Sequence, residues 1–154
     1  MNSFRRPAIA FLLCLLASSP SLGAQRQRAG IQIRVIYAVK QASPSIDPAL
    51  DDIREELKEL PFDKFRLLDR IRTEVAKGAE VELQLPGDKA IAVKFLGVDN
   101  QDGKKMLRLQ LTVKPALRIS LRLADGSRTL IGGPGHLEGK LILDVNASLK
   151  AGSE

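Results

Sequence analysis

His136 is the only histidine in the chain and the only side chain whose ordinary pKa lies close to neutrality. It is the sixth residue of the segment IGGPGHL, behind Gly132, Gly133, Pro134 and Gly135. A histidine base needs a nucleophile within hydrogen-bond reach and an acid to orient it. Ser120, Ser127 and Thr129 are the available hydroxyls, and no spacing ties any of them to His136. The backbone N–H groups of Gly132, Gly133 and Gly135 offer a second chemistry, the cradling of an anion. No Gly-Lys-Ser/Thr follows and the flanks read as strands, so a conformationally demanding strand connection is the expectation. These four residues define the candidate loop.

Three arginines define the other candidate. The runs LRLQLTV and LRISLRL read as neighbouring strands, and pairing Val113 with Leu117 sets Thr112 opposite Arg118, Gln110 opposite Ser120, and Arg108 opposite Arg122. Directly opposed arginines repel. Such a face either borrows acids from an adjacent strand, with Glu80 and Glu82 the expected lenders, or offers Arg108, Arg118 and Arg122 to an anionic partner. Asp99 and Asp102 could serve as an acid and base pair, but their polar, Gly-containing segment reads as ordinary surface. A lone histidine cannot build a His-rich zinc site, and the carboxylates lack an EF-hand arrangement. No metal or cofactor is therefore expected.

The elements that must position these residues are mostly strands. Ile31, Ile33, Val35, Tyr37 and Val39 alternate with Gln32, Arg34, Ile36, Ala38 and Lys40, the pattern of a strand near a sheet centre, covered in part on both faces. Asp47 followed by Pro48 starts a helix as N-cap and first helical residue. Leu50, Ile53, Leu57 and Leu60 line its apolar face, Asp51, Asp52, Glu55, Glu56 and Glu59 a solvated one, and Pro61 ends it. Between residues 62 and 75 helical and strand spacings compete. A strand from about Lys64 is favoured, at the cost of Asp69 on its apolar face. Val81, Leu83 and Leu85 then form a hairpin with Ile91, Val93 and Phe95 about the Pro86–Gly87–Asp88 turn, with Leu83 facing either Ile91 or Val93. DNQDGK at 99–104 and Asp125–Gly126 are further turns. Thr129 to Ile131 is a short strand, and Leu141, Leu143 and Val145 carry the last one. The fold class is α+β, predominantly antiparallel β-sheet of about seven or eight strands, sandwich-like or a curled sheet, with one amphipathic helix after the first strand.

The N-terminus supplies an address. Arg5 and Arg6 precede an apolar run from Ala8 to Ala17, and Pro20, Ser21, Gly23 and Ala24 follow, the order of a cleavable secretory signal cut after Gly23 or Ala24. The apolar run is shorter than the roughly 20 residues a membrane span needs. Leu13 before Cys14 argues against lipoprotein processing, and Pro7–Ala8 against a twin-arginine signal. Residues 1–24 are thus expected to be a signal peptide, 25–30 a loose mature N-terminus, 31–148 a single globular domain, and 149–154 a frayed tail.

Cleavage removes the only cysteine, so the mature chain has neither a disulfide nor a thiolate metal site. It also takes two charges from a formal net charge of +6, leaving a mildly basic domain with no stable insertion in the membrane. The absence of Trp and the single Tyr remove the stacking platforms of single-strand binders, so nucleic acid is not an expected partner. Asn146–Ala147–Ser148 is a glycosylation sequon, relevant only to a eukaryotic secretory route.

The stretch DPALDDIREELKELPFDKFRLLDR, the LPGDK turn and the ending IGGPGHLEGKLILDV resemble a group of small uncharacterised exported proteins of Gram-negative bacteria. The resemblance covers most of the mature chain and implies a periplasmic or secreted location. Its motifs are structural, so it carries over no catalytic residue. The combined expectation is a non-enzymatic binding domain contacting an envelope protein or an anionic polymer through its sheet edges or basic face. The alternative is a small hydrolase or anion-binding protein centred on Gly132–His136.

Overall fold

The computed structural model describes residues 26–114 and 117–151. The segment read as a signal peptide lies outside the described residues. Nine strands, β1 (Arg28–Val39), β2 (Ser45–Ile46), β3 (Lys64–Ala76), β4 (Glu80–Leu85), β5 (Lys89–Gln101), β6 (Lys104–Val113), β7 (Leu117–Ala124), β8 (Arg128–His136) and β9 (Gly139–Lys150), form two sheets among the described residues. The first has the order β2-β3-β1-β9-β8 and the second β4-β5-β6-β7. All pairings are antiparallel except the short β2–β3 contact.

Alternation decides where each strand buries its side chains. Ile31, Ile33 and Val35 of β1 and Leu141, Leu143 and Val145 of β9 join Ile91, Val93 and Phe95 of β5 and Leu107, Leu109 and Leu111 of β6 in one core shared by both sheets. The hairpin takes the Leu83–Ile91 pairing. At the next turn the strands run on until only Asp102 and Gly103 remain between them, both at positive φ (51° and 75°), the conformation a two-residue hairpin requires.

The second face of the first sheet carries the helix. A 3-10 turn at Pro48–Ile53 continues into α1 (Arg54–Lys58), ending three residues before Pro61. Asp47 caps the start: one carboxylate oxygen accepts from the Ala49 N–H at 3.0 Å and the other from the Leu67 N–H at 3.2 Å. Leu50, Ile53 and Leu57 pack on Ile36, Ala38, Phe65 and Ile142 as a second, smaller core. Each fully buried leucine or isoleucine among them contributes about 1.5–3 kcal/mol.

Residues 64–76 are a strand, and a bulge removes the cost attached to Asp69. The β1 partners step from Val35↔Asp69 to Ile36↔Leu67, so Leu68 is the extra residue and packs into the main core while Asp69 stays exposed. Before the bulge Phe65 and Leu67 face the helix; after it Ile71 and Val75 face the other sheet.

Three expectations need correction. The first strand begins at Arg28 rather than Ile31, with Ala29 buried against the core, because β9 continues to Lys150 and pairs Leu149 with Ala29 and Lys150 with Arg28. For the same reason Leu149 and Lys150 are strand, not frayed tail. Gly132, Gly133, Gly135 and His136 are not a loop but the bulged second half of β8, whose pairing jumps from Gly132↔Ile142 to Gly135↔Lys140. The turn itself falls at Leu137–Glu138, where Leu137 has φ 50°.

Candidate functional site

The outer face of the second sheet, remote from the core, has the predicted register: Arg108 opposite Arg122, Gln110 opposite Ser120 and Thr112 opposite Arg118. The repulsion between the opposed arginines is relieved by Asp99 of β5. Its carboxylate lies 3.3 Å from Arg108 Nε and 3.0 Å from Arg122 Nη2. Glu80 and Glu82, the expected lenders, are on β4, two strands from β6, and Glu82 instead pairs with Lys114, whose pKa it raises. Arg118 belongs to the same outward row of β7 and is exposed. Because β7 is a sheet edge, Arg118 and Arg122 stand along a rim with Arg108 one strand in, and one carboxylate pairs with both Arg108 and Arg122.

The bulged end of β8 is a packing feature. A Cβ on Gly133 would lie 2.9 Å from the Leu141 carbonyl oxygen, so close backbone approach explains this glycine. Lys89 donates to the Gly135 carbonyl. The His136 ring meets Tyr37 edge-on, with centroids 5.6 Å apart, and the β4–β5 turn closes over its Nδ1, 3.0 Å from where a Gly87 Cβ would stand. Among the described residues no carboxylate hydrogen-bonds to it. Thr129 is seven residues back along the same strand, about 23 Å away, and Ser127 is further. Ser120 faces outward from the other sheet. The proposed nucleophiles and the base are therefore not brought together. Asp99 is held by its two arginines, and Asp102 sits in the hairpin turn.

A polar cluster that the sequence reading missed joins the helix to the first sheet. Arg34 of β1 and Asp144 of β9 are direct cross-strand partners, and their side chains are only 7% and 4% exposed. Arg34 Nε donates to Asp144 Oδ2 at 2.6 Å, and its two terminal nitrogens donate to the Asp52 carboxylate at 2.8 and 3.0 Å. Arg128 Nη1 of β8 donates to Asp52 Oδ2 at 2.6 Å. Hydrogen bonds from Arg34 and then Arg128 hold the Asp52 carboxyl well below the usual carboxylate range. Burial opposes the charge on Arg34, but its bonds to Asp52 and Asp144 outweigh that cost and raise its pKa. Asp52 was expected on the solvated helix face; the 3-10 turn directs it to the sheet instead.

One signal for this cluster was present. Arg34 and Asp144 occupy the same strand faces as the apolar Ile36 and Ile142, and opposite charges embedded in apolar rows are cheapest when paired. The cluster borders a cleft of about 240 Å³ lined by Gln32, Arg70 and Asn146 as well. The sequon residue Asn146 donates its side-chain amide to the Gly126 carbonyl at 3.0 Å.

Among the described residues no three His, Cys, Asp or Glu side chains are grouped to hold a metal ion, and no helix is long and apolar enough to cross a membrane. No family model, curated protein or solved structure matches the chain.

Proposed function

We propose that the chain is an exported, non-enzymatic binding domain of the bacterial envelope or extracellular space, and that it takes an anionic partner on the arginine rim of the second sheet. The location rests on the N-terminal pattern of basic, apolar and small residues and on the resemblance of the helix, hairpin and glycine motifs to exported proteins. In this reading the two sheets are the halves of a curled β-sandwich, with the amphipathic helix after the first strand closing the outer side of one half.

The observation that carries the binding reading is the register of β6 and β7, which places Arg108 beside Arg122 and sets Arg118 on the same row, all solvent-facing. Asp99 neutralises one charge and orients two guanidinium groups, which leaves donors free for carboxylate, sulfate or phosphate oxygens. The separation of His136 from Ser127 and Thr129 favours binding over hydrolysis.

The test is salt-dependent retention on immobilised heparin. Reversing Arg108→Glu with Arg122→Glu should lower the eluting salt concentration well below that of Arg70→Glu with Arg72→Glu, which changes net charge equally on the other sheet. Equal shifts in the two double variants would remove the proposal.

A further inference from the structure

Among the described residues no strand pairs with the outer edges of β4 and β7 in the second sheet, and these two edges are complementary to each other. On the β7 edge Arg118, Ser120 and Arg122 point outward, while Ile119 and Leu121 point to the core side and remain half-buried; Leu117, next in that apolar row, is 45% exposed. On the β4 edge Glu80, Glu82 and Gln84 point outward, with Val81 and Leu83 half-buried on the core side. Strand edges carry unpaired N–H and C=O groups that template another strand. One edge is cationic and the other anionic, and each has apolar surface left to cover.

We propose that β7 of one molecule pairs with β4 of a second copy of this chain, extending the sheet from copy to copy. Every neighbouring pair in the sheet β4-β5-β6-β7 is antiparallel, so β4 and β7 run in opposite directions. A second copy in the same orientation therefore presents β4 antiparallel to β7, with outward residues meeting outward residues. Alternation restricts the register to steps of two. Setting Ile119 opposite Leu83 of the next copy places Arg122 opposite Glu80 and Ser120 opposite Glu82. A slip of two residues places Arg118 opposite Glu82.

Like edges gain no opposite-charge pair in any register. A two-fold pairing of β7 with itself about Ser120 sets Arg118 against Arg122 of the copy, and pairing β4 with itself about Glu82 sets the two copies of Glu82 against each other, contacts that repel. The charge pattern thus selects the head-to-tail contact, which uses different surfaces on the two molecules and does not close at a dimer. The overlap is short, about 20 Å of strand, well below the area of a stable dimer, so the association is weak and reversible. It requires no external anion, and it stands or falls independently of heparin retention.

Sedimentation equilibrium of the purified protein at low salt tests it. The weight-average mass should rise continuously with concentration and fall back to that of the monomer as salt screens the pairs. Arg118→Glu with Arg122→Glu should abolish the rise, as should Glu80→Arg with Glu82→Arg. An equimolar mixture of the two double variants should recover it, because the acidic β7 of one then meets the basic β4 of the other. In the unmodified protein, amide signals that move on dilution should be confined to β4 and β7, a readout independent of whether a variant folds. A monomer at every concentration, association that survives both double variants, a mixture that stays monomeric, or dilution shifts elsewhere would each overturn the proposal.

Discussion

At the scale of single residues, the Arg34–Asp144 pair is the most consequential polar feature. Both side chains are nearly inaccessible, and Asp144 Oδ1 is buried without a hydrogen-bond partner among the described residues. Removing one member strands the other charge, so Asp144→Ala should cost about 3 kcal/mol in chemical denaturation. Replacing both with leucine should be close to neutral, since the pair must offset its own desolvation. Asp52→Ala, at a half-exposed carboxylate, should cost no more than about 1 kcal/mol. The pH dependence has a definite sign. Asp52 is depressed in the folded state, so its contribution is fully present above the unfolded carboxylate pKa of about 4 and is lost as pH falls through the lower folded value. Thermal melts below about pH 4 should show the Asp52→Asn protein losing less stability per pH step than the unmodified chain. The arginines of the other sheet were legible because alternation alone fixes which side chains share a face. Their acidic partner was not, because Asp99 reaches the outer row only after the bulge between Phe95 and Gly97 changes the parity of β5.

Elements show the same division between what a period reveals and what a single inserted residue changes. The β6–β7 register, the hairpin and the helix start follow from local patterns, and the structure has Val113 opposite Leu117, Leu83 opposite Ile91 and Asp47 as the cap. The bulges at Leu68 and between Gly132 and Gly135 do not announce themselves in a periodic reading. The second turned a supposed loop into the end of β8. Asp47 couples two elements, since its carboxylate serves both the helix start and the strand N–H of Leu67. Asp47→Ala should therefore cost about 2 kcal/mol, the upper end for a cap, and Asp47→Asn should recover only part of it. Gly139 is the sharper case, because an added Cβ would collide with the Ala38 carbonyl oxygen of β1. Gly139→Ala should lower stability by more than about 2 kcal/mol and expose the nearby amides of β1 and β9 to hydrogen exchange. Gly132→Ala, where open space surrounds the site, should be nearly silent by both measurements.

Across the whole molecule, the two sheets present outer faces of different character. One is half-covered by the helix and tied down by the Arg34 cluster; the other is open from β4 to β7 and graded from carboxylates to arginines. That grading follows from alternation within each strand, but its meaning depends on strand order, which places β4 and β7 at opposite edges. No local pattern in the sequence could supply that order. In the proposed binding mode the arginine edge is the contact surface for an anionic partner, and amide chemical-shift mapping tests this most directly. Titrating the isotope-labelled protein with a short heparin oligosaccharide at low salt should move the signals of Arg108, Arg118, Arg122 and their β6–β7 neighbours, with the shifts reversed by added salt. Shifts centred instead on Arg70, Arg72 and Lys150 of the other sheet, or spread evenly over both, would contradict it.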